Sequence, residues 1–211
     1  MKRIAFALLA VVLATAVAHL DSALAAAPKL TAAPSPAVVD SLGLLERAVA
    51  KDSSRTDDLY KLGTMYLDRD RVPEAIRVLD KANRVKPKNV PILVNLGAAW
   101  DASGKSDDAQ KYYREALTVS PDDSIASCRL ASSLYAASKY GEAMQLLREA
   151  IAKRPRSHCA YFTLGVAFAD AGIYRDAIRM WKKVIELAPQ SQEAVSAKES
   201  IEVLEKLVQQ Q

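Results

Sequence analysis

Four prolines, Pro87, Pro121, Pro155 and Pro189, stand 34 residues apart, and the same interval governs most of the chain. It links Leu62, Leu96, Leu130 and Leu164, and the small residues beside them, Gly63, Gly97, Ala131 and Gly165. It also links Ala75, Ala109, Ala143 and Ala177, and the large residues Tyr66, Trp100, Leu134 and Phe168. Leu79, Tyr113, Leu147 and Trp181 keep the period, as do Ala82, Ala116, Ala150 and Val184. So many columns without a gap mark an internal repeat, and a repeat of this length constrains the fold more than composition does.

The columns have a physical reading. Leu59, Leu62, Gly63 and Tyr66 follow the three-four spacing of one helical face, and Ala75, Leu79 and Ala82 do the same after a short turn. Pro73 suits the first turn of the second helix, where its missing N–H is harmless. Gly104 and Gly172 mark the turn between helices in two units, and the recurrent proline stops the second helix. Tiny residues let paired helices approach closely. A single hairpin cannot bury its apolar stripe alone, so the units are expected to stack.

The pattern resembles the tetratricopeptide repeat. One unit carries it as Leu93, Leu96-Gly97, Trp100, Ala109, Tyr113, Ala116 and Pro121; another as Tyr161, Leu164-Gly165, Phe168, Ala177, Trp181, Val184 and Pro189. Full repeats are placed at 56–89, 90–123, 124–157 and 158–191. The resemblance implies an all-α fold, a right-handed superhelical solenoid of antiparallel helix pairs. Ser127 departs from the pattern by withholding the third unit's first apolar residue, so looser packing is expected there.

The ends fit an array. Residues 37–55 are expected to hold a degenerate half-repeat, its helix over 37–51 carrying Leu45 and Ala48 in phase with Leu79 and Ala82. Residues 192–211 carry Ala197, Ile201, Leu204 and Val208 on one side, with Lys198, Glu202 and Lys206 elsewhere. Such an amphipathic helix would cap the last apolar face. Ahead of these, Met1-Lys2-Arg3 and the apolar run from Ile4 to Ala18 read as a secretory signal peptide, residues 1–25, cut after Ala25 in Ala23-Leu24-Ala25. The alternative is an uncleaved helix tethering the protein to a membrane. Residues 26–36, with Pro28, Pro34 and Pro36, form a Pro/Ala-rich spacer. A periplasmic or secreted protein is expected, with no stable membrane insertion after cleavage.

Net charge is +4 for the whole chain, and both signs are interspersed. Asp57 and Asp58, Asp107 and Asp108, and Asp122 and Asp123 open predicted helices; Arg84, Lys86, Lys153 and Arg154 close others. Each sign sits where the helix dipole favours it. No basic face is gathered for nucleic acid.

The resemblance further implies that the first helices line a concave groove holding a peptide or helical segment of a partner protein. By phase the groove residues are Tyr60 and Thr64; Val94, Asn95 and Ala98; Cys128, Arg129 and Ser132; and Phe162, Thr163 and Val166. Tyr60, Val94, Cys128 and Phe162 form one apolar row, which the alternative reading packs against neighbouring units. Some family members clamp a partner's terminal carboxylate; Asn95 and Arg129 are compatible with that, but Tyr60 and Ile125 hold the lysine positions, leaving the clamp incomplete. Cys128 and Cys159 lie on adjacent first helices. In an oxidising compartment they can form a disulfide if their Cα atoms approach within about 7 Å; otherwise they are two free thiols.

The remaining chemistry is sparse. His158 has no partner histidine at ligand spacing, and His19 would leave with the leader, so neither a metal site nor a histidine triad is expected. The seven glycines form no phosphate-cradling loop. The expectation is therefore a cofactor-free, non-catalytic adaptor that binds other proteins during assembly of an envelope or secreted complex. The alternative is a structural subunit that self-associates or belongs permanently to a larger complex.

Overall fold

The computed structural model describes residues 41–209. The expected leader, the spacer, the start of the 37–55 segment and the last two residues lie outside the described residues. Ten α-helices and no strand occur among the described residues. A leading helix α1 (Ser41–Lys51) is followed by four pairs: α2 (Thr56–Leu67) with α3 (Val72–Val85), α4 (Val90–Ala102) with α5 (Ser106–Val119), α6 (Ser124–Ala136) with α7 (Tyr140–Lys153), and α8 (His158–Asp170) with α9 (Tyr174–Leu187). A longer helix, α10 (Gln192–Gln209), ends the array.

Local chemistry sets the helix boundaries. Asn89 caps α4, its side chain accepting from the Ile92 N–H at 3.2 Å, and Asp123 caps α6 by accepting from the Ala126 N–H at 2.8 Å. Pro73 and Pro91 occupy the first turns of α3 and α4. Asp57, Asp58, Asp107 and Asp108 lie in first turns, and Arg84 and Lys153 in last turns. The turn inside each pair uses one left-handed residue: Asp70 (φ 56°), Gly104 (φ 77°), Ser138 (φ 61°) and Gly172 (φ 74°) share one column of the repeat. The glycines adopt this region freely, whereas Asp70 and Ser138 hold it against the steric penalty of a Cβ.

Within each pair a tiny residue faces a large one. A Cβ built on Gly63 would stand 2.5 Å from Leu79 Cγ, and one on Gly97 would stand 2.5 Å from Tyr113 Cε1. On Gly165 it would strike the indole of Trp181, whose Nε1–H donates to the Phe162 carbonyl at 3.2 Å. Ala131 and Leu147, both buried, hold the corresponding places in the third unit.

The pairs then stack. Each second helix packs against the first helix of the following unit, and α9 packs against α10. First helices also approach one another across units, α2 with α4, α4 with α6 and α6 with α8, whereas the backbones of successive second helices stay apart and α5 meets α7 through the Arg114–Glu142 pair at 3.8 Å. The first helices therefore crowd one side and the second helices spread along the other, as a superhelical solenoid requires. Three apolar clusters fill the interior in sequence.

The missing residue of the third unit leaves its mark. Leu59 and Leu93 are fully buried in that column, and Ser127 in their place leaves a cleft of about 250 Å³. At the ends, Leu42, Leu45 and Val49 of α1 rest on the first cluster. Glu46 accepts from Tyr66 Oη at 2.7 Å and pairs with Arg71 at 3.5 Å, tying α1 to the first unit. On α10, Ala194, Ala197, Ile201 and Leu204 are buried, and Glu205 pairs with Lys182 of α9 at 3.0 Å.

Candidate functional site

The side formed by α2, α4, α6 and α8, the first helices of four successive units, carries every residue assigned to the groove. Their accessibility is uneven. Tyr60 and Thr64 on α2, Asn95 and Ala98 on α4, and Phe162, Thr163 and Val166 on α8 are half-buried; Arg129 and Ser132 on α6 are exposed. Val94 and Cys128 are only 8% and 7% exposed and belong to the interior.

The apolar row Tyr60, Val94, Cys128 and Phe162 is thus not an open hydrophobic strip, which corrects the sequence expectation. Where first helices touch across units, the side chains pointing between them are consumed by packing. Val94 and Cys128 join the central cluster, Tyr60 rests on the first and Phe162 on the last. What remains for a partner is more polar: Arg129 and Ser132, bordered by Asn95, Ala98, Thr163 and Val166. Ile125, which stands at one of the clamp's lysine positions, is 59% exposed beside Arg129 and supplies apolar surface there. Arg129 makes no ion pair among the described residues.

The groove wall is fastened at several points. Cys128 and Cys159 are joined by a disulfide, with Cα atoms 6.2 Å apart, which replaces the free-thiol alternative and covalently links α6 to α8. At the opposite end of the same helices Tyr135 Oη donates to Asp170 at 3.0 Å. Burial and then the Asp170 carboxylate push the Tyr135 phenol up to about 12. Between α4 and α6, Asp101 accepts from Ser133 Oγ at 2.8 Å and from Tyr113 Oη at 3.0 Å. Burial foremost, then Asp101, raises the Tyr113 phenol well above its ordinary value, with Arg129 acting the other way. The roles of Asp101 and Asp170 escaped the sequence because each has a partner on the first helix of a neighbouring unit and neither aspartate recurs at the repeat interval.

The described residues contain no group of three or more histidine, cysteine or acidic side chains placed to hold a metal, and no helix among them is long and apolar enough to cross a membrane.

Comparison with known proteins agrees with this architecture. Two family models, both described as tetratricopeptide repeat, match residues 97–158 and 134–201. No match was found among curated protein sequences. Among solved structures the chain is similar to TTC0263, a thermophilic TPR protein of Thermus thermophilus, at 19% identity and TM-score 0.66, covering 76% of this chain and 88% of that one. It is similar to MamA at 20% identity and TM-score 0.59, covering 71% and 87%. It is also similar to YrrB, described as a TPR protein with an unusual peptide-binding site, at 23% identity and TM-score 0.55, covering 75% and 81%. With a 34-residue period, glycine-to-ring contacts in the expected columns and two matching repeat models, the chain belongs to the tetratricopeptide-repeat family.

Proposed function

We propose that the protein is a non-catalytic scaffold that holds a peptide or helical segment of a partner protein along α2, α4, α6 and α8. The observation carrying this reading is Arg129, an exposed cation that makes no ion pair among the described residues, bordered by the uncharged Asn95, Ala98, Ser132, Thr163 and Val166. A partner's carboxylate, from an acidic side chain or a chain terminus, would pair with it. Ile125, Ala98 and Val166 give the same segment apolar contact. The peptide-binding site named for YrrB lends support by analogy.

The same proposal places the protein outside the cytoplasm of a bacterial-type cell, in assembly of an envelope or secreted complex. The amino-terminal sequence pattern supports this, and so does the Cys128–Cys159 bridge, since disulfides persist in oxidising compartments. Affinity capture from the envelope fraction tests it, with the double variant Arg129→Glu/Val166→Glu as control. Partners held by the parent protein and released by the variant support the reading; capture that is equal in both removes it.

The structural-subunit alternative draws on one observation: Val195 and Val203 are 45% and 42% exposed on the terminal helix, whose other face is buried. Size-exclusion chromatography with light scattering separates the two. A concentration-independent oligomer broken by Val203→Glu favours the subunit role, and a monomer favours the adaptor.

A further inference from the structure

We propose that the Cys128–Cys159 bridge is a positioning element of the partner site, fixing the spacing of α6 and α8 so that Arg129 and Val166 reach the same partner segment. The inference rests on the groove reading above and names what sets the groove's affinity. Arg129 follows Cys128 directly on α6, and Thr163 Oγ1 on α8 donates to the Cys159 carbonyl at 3.0 Å. Each half of the bridge is therefore held against a residue of the groove wall. Arg129 and Thr163 also occupy one column of the repeat in successive units, so the bond sets the distance between neighbouring steps of that wall.

The bridge is placed for the site more than for the stack. At the preceding step of the array, the positions equivalent to the two cysteines hold Val94 and Ile125, and α4 packs on α6 without a covalent link. Repeat packing suffices there, and the bond stands at the step that carries Arg129. Cys159 departs from its column: the equivalent Asp57, Pro91 and Ile125 are exposed, whereas Cys159 is half-buried, with its sulfur 3.5 Å from the Ser124 carbonyl oxygen on α6. The far ends of α6 and α8 are joined by Tyr135 and Asp170. Breaking the bridge thus leaves the two helices tied at their carboxyl ends and free to part at their amino ends. A partner meeting the parted helices has to order them as it binds, which lowers its affinity.

Such coupling is reciprocal: the factor by which the bridge raises partner affinity is the factor by which a bound partner protects the bridge from reduction. Cys128 is 7% exposed, so a dithiol reaches the half-buried Cys159. One thiolate of the dithiol bonds to Cys159 Sγ, and Cys128 leaves as a thiolate and takes up a proton. The second thiolate of the dithiol then bonds to the first and releases Cys159; two electrons pass to the protein and the dithiol is oxidised to a disulfide. A bond that only stabilised the fold would show no such protection.

The test uses the purified protein and a short, end-capped peptide with one glutamate between leucines, followed by fluorescence anisotropy. The parent should bind it saturably and Arg129→Glu should not. Dithiothreitol should weaken binding to the parent about fivefold or more while the helical circular dichroism persists. Cys128→Ser/Cys159→Ser should bind like the reduced parent, with or without dithiothreitol. In buffers of fixed dithiothreitol ratio, saturating peptide should shift the thiol–disulfide equilibrium toward the bridge by the same factor. Gly63→Ala supplies the control, since a Cβ there would stand 2.5 Å from Leu79 Cγ: it should melt lower than the parent and bind the peptide equally well. Equal affinity before and after reduction, or an equilibrium indifferent to the peptide, overturns the proposal and leaves the groove reading standing. So does a loss of affinity in Gly63→Ala that tracks its melting temperature, because the bridge would then act only through global stability. No saturable binding, or binding unchanged in Arg129→Glu, removes the groove reading and this inference with it. Should the double serine variant fail to fold, the reduced parent and the equilibrium measurement still decide.

Discussion

The ring of Tyr113 lies so close to Gly97 that a Cβ there would stand 2.5 Å from Cε1 and 2.8 Å from Cδ1. The ring cannot swing away, because it is fully buried and its hydroxyl is held by Asp101. Gly97→Ala should therefore destabilise the protein by about 1–3 kcal/mol despite alanine's higher helix propensity. Gly141→Ala supplies the contrast: a Cβ at this helical glycine meets nothing within 4 Å, so the same change should stabilise by roughly 0.5–1 kcal/mol. Urea unfolding of both variants gives the two signs, and equal signs would remove the close-contact explanation.

Val94 and Arg129 should respond oppositely to glutamate. Val94 is 8% exposed within the central cluster, so Val94→Glu buries a carboxylate without a partner and should cost about 2 kcal/mol or more. Arg129 is exposed and makes no ion pair among the described residues, so Arg129→Glu should leave stability within about 0.5 kcal/mol while abolishing partner capture. Thermal melting and the capture assay read the two effects separately. A stable Val94→Glu protein would return that residue to the groove surface.

These two positions show what could be read from the sequence and what could not. The Gly97–Tyr113 contact was legible because both residues belong to columns that recur at the repeat interval, and a tiny residue opposite a large one has a direct steric meaning. Ser127 was legible for the same reason, as a gap in a column. Val94 was not, because α4 is flanked by first helices on both sides and carries buried residues around most of its circumference, from Ile92 and Leu93 through Val94 to Leu96. Three-four periodicity separates core from solvent on a helix with one buried face; here it gives no such contrast. Asp101 was invisible for a different reason: its partners, Tyr113 and Ser133, come from two units, and only the stack brings them together.

The turn column offers a gain in stability. Ser138 adopts φ 61° where Gly104 and Gly172 occupy the equivalent turns at φ 77° and 74°. A non-glycine residue in the left-handed region is held there at a steric cost of about 1–2 kcal/mol, partly offset because glycine loses more chain entropy on folding. Ser138→Gly should stabilise by roughly 0.5–1 kcal/mol. Asp70→Gly should gain less, because aspartate tolerates this region better than serine. Chemical denaturation of the pair checks the order, and a destabilised Ser138→Gly would show that the turn is not strained.

Finally, α6 and α8 are fastened at both ends, by the Cys128–Cys159 bridge near their amino termini and by Tyr135–Asp170 near their carboxyl termini. The bridge spans a sequence separation of 31 residues, and a loop of that order is expected to contribute about 2–4 kcal/mol by restricting the unfolded chain. Dithiothreitol should lower the unfolding midpoint of the parent protein by an amount that corresponds to this, and should leave a Cys128→Ser/Cys159→Ser variant unaffected. Hydrogen exchange should quicken in the first turns of α6 and α8 on reduction, with much less change around Tyr135, whose hydrogen bond persists. Uniform quickening along both helices would mean that the bridge, rather than repeat packing, holds the third and fourth units together.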